Sequence, residues 1–430
     1  MKILITGGTV IDATGERPGD VRVADGRVVE VGVGLTPAGA EDLIDARGRI
    51  VCPGVVGLHP HLREPGREEA ETIETGSRAA AKGGYTCVVA MPNTDPTQDS
   101  VSVVEFVRRR GEAAGLCDVR PSGSITIGRQ GEQLSPLAEL AAAGVHLFTD
   151  DGDGVQDPLL MRRALEYAAD LGVVLAQHCE VRRLTEGAVM HEGSCCSRLG
   201  LPGWPSLAEE LMVHRDIELV RLTGAPVHIL HLSTAGSVEL VRRAKADGLP
   251  VTAEATPHHI SLTDELLAGY SALYKVNPPL RTMRDVEAVR AGLADGTIDA
   301  IATDHAPHAP ETKERPLDQA PPGMLGLETA LGVSVASLVG AGMSLSDVVG
   351  ALSWRPAAIA GVADEHGRPV APGEPANLTV FDPSVEWEVE PAALASRSRN
   401  TPFVGVPLRG RVTHTVLRGS TTVSEGTATK

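Results

Sequence analysis

Eight short apolar runs alternate with stretches rich in Ala, Leu and Arg, and this alternation constrains the fold more than any other feature. The apolar runs are residues 55–58, 86–91, 124–127, 145–148, 173–177, 227–232, 251–255 and 300–303, and the helical stretches include 102–112, 157–171, 208–222 and 237–247. Eight repeats of this kind predict an α/β protein built on a (β/α)8 TIM-like barrel. A doubly wound sheet would have fewer strands and a glycine-rich first turn.

Short strands and turns, without long helical stretches, occupy the two ends of the chain. A first strand at 3–5 is predicted to end at Gly7-Gly8, and Asp25-Gly26 between two valine-rich runs is a strong hairpin signal. We therefore predict a small β-sandwich domain formed from residues 1–52 and 369–430, and a barrel domain of residues 53–368. Residues 424–430 are predicted to be disordered, as chain termini often are.

The composition argues against several classes of function. A net charge of −17 over 430 residues argues against non-specific binding to nucleic acid or to an anionic membrane. No apolar stretch is long enough to span a bilayer. The N-terminal residues lack the cleavage pattern of a signal peptide, and the six cysteines form no C-x-x-C pair. We therefore expect reduced thiols and a cytoplasmic protein.

Polar side chains that can bind a metal or a charged group follow most of the predicted barrel strands. They are His59, His61, Arg63, Asn93, Asp150, Asp151, His178, Glu180, His231, His258, His259, Asp304, His305 and His308. Barrel enzymes build their active sites at the carboxyl ends of the strands, so we expect these side chains to lie together. His59 and His61 are two residues apart, which places both imidazoles on one side of a strand.

Imidazole and carboxylate groups without cysteine suit zinc or a similar divalent ion. We expect one ion to be shared by three of these side chains and a second ion by two, with a carboxylate between them. The first group is His59, His61 and Asp304, the second is His178 and His231, and the carboxylate is Asp151. Two ions about 3.5–4 Å apart would share a hydroxide and make it nucleophilic near neutral pH. For each residue taken alone, a buried hydrogen-bonded side chain is the alternative.

Some neighbouring residues are assigned to other roles. His228 lies three residues before His231, so on a strand it should face the opposite side and be structural. Only one of Asp150 and Asp151 can face the mouth of the barrel. The tract 321–326, rich in Pro and Gly, predicts a mobile loop over the site, with a plain surface turn as the alternative.

Longer motifs surround these residues and carry a family resemblance. They are the stretches 59–66, 91–94, 149–152, 177–180, 231–234, 274–281, 302–308 and 400–403. Tyr-Lys-Val-Asn-Pro-Pro-Leu-Arg at 274–281 and Ala-Thr-Asp-His-Ala-Pro-His at 302–308 are specific, whereas His-x-His alone only indicates a superfamily. Over nearly all of residues 1–428 the chain resembles the bacterial dihydroorotases of the longer (type I) class, within the amidohydrolase superfamily.

The resemblance implies the reversible cyclisation of N-carbamoyl-L-aspartate to L-dihydroorotate in de novo pyrimidine (UMP) biosynthesis. It also implies two zinc ions per chain, whose ligands would be His59, His61, Asp151, His178, His231 and Asp304. Asp304 would in addition be the general acid/base, passing a proton to the leaving nitrogen in ring opening. The implied substrate contacts are His61, Arg63, Asn93, Asn277, His308, Pro322 and Gly323. Among these, Arg63 offers a bidentate fork to the carboxylate of the ring.

The chain departs from the family pattern at Gly57, where Asp is usual, and at Pro60, where Val is frequent. The loss of an Asp at 57 is expected to weaken a contact that orients the ligands. A hydantoinase or allantoinase of the same superfamily is an alternative, but those enzymes usually carry a carboxylated lysine near strand four. Residues 124–127 and 145–149 contain no lysine, so we predict that Asp151 bridges the two metals directly.

A third alternative is a non-catalytic scaffold that binds aspartate transcarbamoylase. The complete set of ligands argues against it, because chains of that kind have lost ligands. The expected partners are the small-molecule substrate, a second copy of the chain and aspartate transcarbamoylase.

Overall fold

The computed structural model describes residues 2–430. Its strands are β1 (Lys2–Asp12), β2 (Gly15–Ala24), β3 (Arg27–Gly32), β4 (Asp42–Asp45), β5 (Ile50–Pro53), β6 (Val55–Gly57), β7 (Tyr85–Ala90), β8 (Asp118–Pro121), β9 (Leu147–Thr149), β10 (Val174–Gln177), β11 (Met190–His191), β12 (Gly203–Trp204), β13 (Val227–Ile229), β14 (Val251–Ala255), β15 (Ala300–Ile301), β16 (Leu378–Trp387), β17 (Leu408–Leu417), β18 (Ser420–Ser424) and β19 (Thr427–Ala428). Its helices are α1 (Ile73–Lys82), α2 (Val101–Ala114), α3 (Leu137–Ala142), α4 (Pro158–Leu171), α5 (Arg182–Thr185), α6 (Ser194–Leu199), α7 (Leu207–Thr223), α8 (Ala235–Ala246), α9 (Met283–Ala294), α10 (Pro310–Lys313), α11 (Ala330–Ser334), α12 (Leu345–Leu352) and α13 (Trp354–Ile359).

Eight parallel strands surround a buried interior. β6, β7 and β8 form one ladder, and β9, β10, β13, β14 and β15 form the other. A bridge between Gly123 and Phe148 joins the end of β8 to β9, and a bridge between Pro60 and His305 joins the ends of β6 and β15. These pairings close the two ladders into one ring. Small aliphatic side chains such as Val56, Leu58 and Ala176 fill the interior, in keeping with the 3% aromatic content.

The helices that follow the strands begin where the local sequence predicts. α4, for example, starts after Asp157, whose side chain accepts a hydrogen bond from the Leu160 N–H at 2.7 Å, and Pro158 occupies its first turn. The helices predicted at 102–112, 157–171, 208–222 and 237–247 agree with α2, α4, α7 and α8 to within two residues at each end. Within residues 2–430, no helix is both long and apolar enough to cross a membrane.

Strands from both ends of the chain form one nine-stranded sheet. Its order is β19-β18-β17-β16-β5-β1-β2-β3, with β4 paired to β1. β5 joins the two ends, because it runs parallel to β1 and antiparallel to β16. Val10, Val51 and Val380 pack in one buried cluster that draws on both ends. The hairpin predicted at Asp25-Gly26 is confirmed as the β2–β3 turn. The sandwich arrangement and the domain boundaries at 52/53 and 368/369 stay predictions.

The third barrel strand was predicted at 124–127, and this is wrong. The strand is β8, Asp118–Pro121, which pairs with β7. Its sequence Asp-Val-Arg-Pro places charged residues at alternate positions and ends in proline, so it lacks an apolar run that would reveal a buried strand. The apolar run that follows instead turns across the mouth of the barrel, where the Thr126 N–H and hydroxyl both donate to Asp150.

Two predictions about the ends of the chain are wrong: the end of the first strand at Gly7-Gly8, and the disorder of residues 424–430. β1 does not end at Gly7-Gly8 but continues through a bulge, at which its register against β2 shifts between Ile5 and Gly8. Residues 424–430 are not disordered, because β19 pairs with β18 and the Thr429 N–H donates to the Thr422 carbonyl at 2.9 Å. Edge pairing therefore orders a polar tail whose composition alone gives no strand signal.

Candidate metal centre

Four imidazoles converge on Asp151 at the carboxyl end of the barrel. Asp151 Oδ1 lies 3.2 Å from His59 Nε2, and Oδ2 lies 3.4 Å from His61 Nε2. Oδ1 also lies 3.4 Å from His178 Nδ1 and 3.6 Å from His231 Nε2. The five side chains form two groups, His59–His61–Asp151 and Asp151–His178–His231, in each of which the ligand atoms lie within 4.8 Å of one another. Asp151 belongs to both groups, as the sequence predicts for a carboxylate between two ions.

Hydrogen bonds on their outer sides orient two of the imidazoles. His61 Nδ1 donates to Asn93 Oδ1 at 2.8 Å, and His178 Nε2 donates to Glu180 Oε2 at 2.9 Å. When the outer N–H is the only one on the ring, the inward nitrogen carries the lone pair that a metal ion would take. An imidazole whose outer N–H is held by a carboxylate or an amide oxygen is typical of a metal ligand.

Glu254 orients a third imidazole, and sequence reasoning missed it. Its Oε1 accepts from His59 Nδ1 at 2.7 Å, and its Oε2 lies 3.2 Å from His228 Nε2. Burial opposes ionisation, but the charge on His59 and the hydrogen bonds from His228 and His59 prevail and lower the pKa of Glu254 to about 2. The signal was a lone carboxylate in the apolar strand 251–255, because a buried charge needs a partner.

Two observations show that the donor set fits a divalent cation. His59 Nε2 is buried and has no hydrogen-bond partner among residues 2–430. His178 Nδ1 lies 2.8 Å from His231 Nε2, although the N–H of His178 is already committed to Glu180. Two ring nitrogens that approach this closely in a closed space need a shared proton or a cation between them. Nitrogen and oxygen donors without sulfur favour zinc or a similar ion.

Asp304 joins the centre from the opposite side. Its Oδ1 lies 3.1 Å from His61 Nε2 and 3.7 Å from His59 Nε2. Burial opposes ionisation, but the hydrogen bond from His61 and the positive charge of His59 outweigh it and hold the pKa of Asp304 well below its ordinary value. Asp304, His231 and Arg63 have φ angles of +44°, +31° and +63°. Non-glycine residues in this region are strained and concentrate at functional sites.

A cavity of about 240 Å³ lies above the centre. Its wall contains all the predicted substrate contacts and four of the predicted ligands, namely His61, Arg63, Asn93, Asn277, His308, Pro322, Gly323, Asp151, His178 and Asp304. His59 and His231 are buried beneath this wall. The structure therefore brings every predicted site residue into one place.

Arg63 is the cation in this cavity. Its guanidinium is buried, and Nε donates to the Pro307 carbonyl at 3.1 Å. Burial and the charge of Arg67 lower its pKa to about 10, so it stays positively charged at neutral pH. Within residues 2–430 no carboxylate forms an ion pair with Arg63, which leaves the guanidinium available to an anionic ligand.

The segment Pro321–Gly323 covers one side of the cavity and is held by Lys313, which the sequence did not single out as a site residue, and by His308, which it did. Lys313 Nζ donates to the carbonyls of Pro321 and Gly323, both at 3.0 Å. His308 Nε2 lies 2.8 Å from the Pro322 carbonyl. A Cβ at position 323 would lie 2.7 Å from His308 Nε2, so only glycine fits there. The mobility of this loop stays a prediction.

The chain is similar to dihydroorotases over its full length. The Dihydro-orotase-like family model matches residues 48–237. The dihydroorotase of Streptomyces coelicolor is 54% identical over 432 residues and 100% of both chains. That of Mycobacterium tuberculosis is 53% identical over 415 residues and 96% of each chain.

Solved structures show the fold. An L-hydantoinase from Arthrobacter aurescens is 23% identical, covers 100% of this chain and 97% of its own, and superimposes with a TM-score of 0.88. A dihydropyrimidinase from Brevibacillus agri is 24% identical, with a TM-score of 0.87 over 100% and 96% of the two chains. The chain thus has the barrel fold of amidohydrolases, while its full-length identity is to dihydroorotases. The resemblance seen in the sequence motifs is confirmed: the chain belongs to the dihydroorotase family.

Proposed function

We propose that the protein is a metal-dependent dihydroorotase that interconverts N-carbamoyl-L-aspartate and L-dihydroorotate. The observation that carries this proposal is the shared cavity, in which the buried, unpaired Arg63 faces the same space as Asp304 and the imidazole cluster. Because both groups face one cavity, a substrate has to place a carboxylate at Arg63 and an amide carbonyl at the imidazole cluster at the same time. L-Dihydroorotate has both groups on one small ring, and full-length relatives are named dihydroorotases.

The proposed metals are two zinc ions per chain. One would be held by His59, His61 and Asp304 and the other by His178 and His231, with Asp151 shared between them. When bound, such ions polarise a carbonyl and make water nucleophilic near neutral pH. The outer partners Glu254, Asn93 and Glu180 keep the ligand nitrogens facing inward.

The protein side chains bind the substrate and move the proton. Arg63 and Asn93 hold the ring carboxylate, and Asn277, His308 and the Pro322–Gly323 segment enclose the rest. In ring opening Asp304, which is ionised, accepts a proton from the attacking water and delivers it to the ring nitrogen as the C–N bond breaks. In ring closure it takes the proton from the ureido nitrogen and returns it to the departing oxygen.

The assay that tests this function compares three substrates with the purified protein. Opening of L-dihydroorotate, hydantoin and allantoin is followed by the loss of ultraviolet amide absorbance. We expect turnover of L-dihydroorotate, loss of turnover after chelation, and recovery on addition of zinc. Faster turnover of hydantoin or allantoin, or no turnover of any substrate by protein that has bound two equivalents of zinc, would contradict the proposal.

The homodimer, the complex with aspartate transcarbamoylase and the cytoplasmic location remain predictions. A single gel-filtration experiment with light scattering tests the first, and the addition of purified transcarbamoylase to the same column tests the second.

A further inference from the structure

A second cavity of about 330 Å³ adjoins the substrate cavity. Arg63, Arg67, His308 and Pro321 line both cavities, so the two share a wall. The second cavity, which we call the outer cavity, is also lined by Arg315. Arg67 and Arg315 are exposed, whereas Arg63 is buried. The outer cavity therefore runs from two arginines in solvent to the arginine that faces the candidate metal centre.

The two exposed arginines carry charge that this chain does not neutralise. Among residues 2–430, no carboxylate lies within the 4.0 Å ion-pair distance of Arg67 or Arg315. Arginines on the outer helices differ, since Arg162 and Arg242 each lie 2.9 Å from a glutamate oxygen. The Arg67 N–H donates to the Arg63 carbonyl at 3.2 Å, which sets these two residues one turn apart. Arg67 thus lies next to Arg63, and Arg67 and Arg315 line one cavity without a counter-ion from the protein.

One carboxylate, Glu69, also lines the outer cavity. It is exposed and forms no ion pair with either arginine within the described part of the chain. Arg129, another cation near the mouth, is already engaged by Asp153 at 2.8 Å and by the Asp151 carbonyl. The uncompensated charge at the entrance therefore comes from Arg67 and Arg315.

We propose that Arg67 and Arg315 form an outer subsite for a carboxylate of the incoming substrate, from which the substrate passes inward to Arg63. The inference rests on the proposed function, whose open-chain substrate carries two carboxylates and is a dianion at neutral pH. A chain of net charge −17 repels such a dianion at long range. A local group of three arginines places positive charge at the entrance, where the substrate has to pass.

The test compares Arg67→Gln, Arg315→Gln and the double variant with the wild type over a range of KCl concentrations. At low ionic strength we expect kcat/KM of the double variant to fall about tenfold, the lower end of the effect of a charged cleft, with kcat unchanged. The loss should shrink as salt screens the arginines, because the Debye length is about 10 Å at 0.1 M and about 3 Å at 1 M. A substitution cannot change the equilibrium constant between N-carbamoyl-L-aspartate and L-dihydroorotate. The value of kcat/KM therefore has to fall by the same factor for ring closure and for ring opening.

A second measurement reads binding rather than turnover. Succinate, a dicarboxylate without an amide, is expected to inhibit competitively, and its inhibition constant should rise in both single variants. Arg409→Gln is the matched control, because Arg409 is exposed in β17, lines neither cavity and carries the same charge. It should leave both the salt dependence and the succinate inhibition as in the wild type.

Three results would overturn the subsite. One is an unchanged salt dependence and succinate inhibition in the double variant. Another is an equal effect of Arg409→Gln, which would assign the loss to net charge alone. The third is a particular pattern of inhibition by inorganic phosphate: it is not competitive, and it disappears in the variants, whose kcat/KM without phosphate equals that of the wild type. The cavity would then bind a separate effector and not the substrate. Failure of the proposed function is distinct, since the wild type itself would then not turn over L-dihydroorotate.

Discussion

Replacing Glu254 with glutamine should weaken the metal centre while the barrel stays folded. Glu254 is fully buried and accepts from His59 Nδ1 at 2.7 Å, with His228 Nε2 at 3.2 Å from its other oxygen. Glutamine keeps the shape and can still accept the hydrogen bond from His59. It removes the negative charge that makes the inward nitrogen of His59 a better electron donor.

The size of the effect follows from two independent ranges. A hydrogen bond to a charged group contributes about 1.5–3 kcal/mol. Loss of an outer partner of a metal ligand typically costs about 10–100-fold in metal affinity, which is about 1.4–2.8 kcal/mol. The ranges coincide, so we expect metal affinity to fall about 10–100-fold in Glu254→Gln. Glu254→Ala would leave His59 and His228 without their partner in a closed interior and should cost about 3–5 kcal/mol of stability.

Metal affinity is measured by competition with a chromophoric chelator, and stability by urea unfolding of the metal-free protein. Asp12→Asn is the matched control, because Asp12 is a buried carboxylate in β1 that lies 2.8 Å from Arg17 Nη2, away from the candidate centre. It should alter the unfolding free energy and leave metal affinity unchanged. The reasoning would be refuted if Glu254→Gln bound metal as tightly as the wild type, or if Asp12→Asn lost as much metal affinity as Glu254→Gln.

Three further substitutions test the proposed roles in the site. Asp304→Asn removes the proton acceptor and should lower kcat about 10²–10⁴-fold in steady-state assays; more than about a tenth of wild-type kcat would contradict the role. Arg63→Met should lower kcat/KM for L-dihydroorotate by the equivalent of about 1.5–3 kcal/mol with metal content retained, and an unchanged kcat/KM would show that Arg63 does not hold the carboxylate. Asp151→Ala should lose metal by elemental analysis. Reconstitution of the wild type should not need bicarbonate, and a requirement for it would point to a carboxylated lysine instead.

The proposed ligands were predictable because the barrel gives each strand end a known place. Once the alternation of runs is recognised, His59, His178 and Asp304 fall at the same edge whatever their distance along the chain. The supporting residues Asn93 and Glu180 also follow strands, but Glu254 was not predictable in this way. Glu254 meets His59 across 195 residues, and it sits inside a strand rather than after one. A lone carboxylate in an apolar strand indicates that it needs a buried partner, but nothing local in one sequence tells which side chain that partner is.

Gly57 shows how packing decides a question that the motif left open. A Cβ at position 57 would lie 3.0 Å from Tyr85 Cε1 and 3.2 Å from Val88 Cγ1, closer than ordinary contact. The ring of Tyr85 therefore occupies the space that an aspartate side chain would need. The orientation of His59 does not depend on that missing carboxylate, because Glu254 holds its Nδ1 from β14. Glycine at position 57 is therefore not expected to weaken the orientation of His59, because the carboxylate that orients it comes from β14 and not from β6.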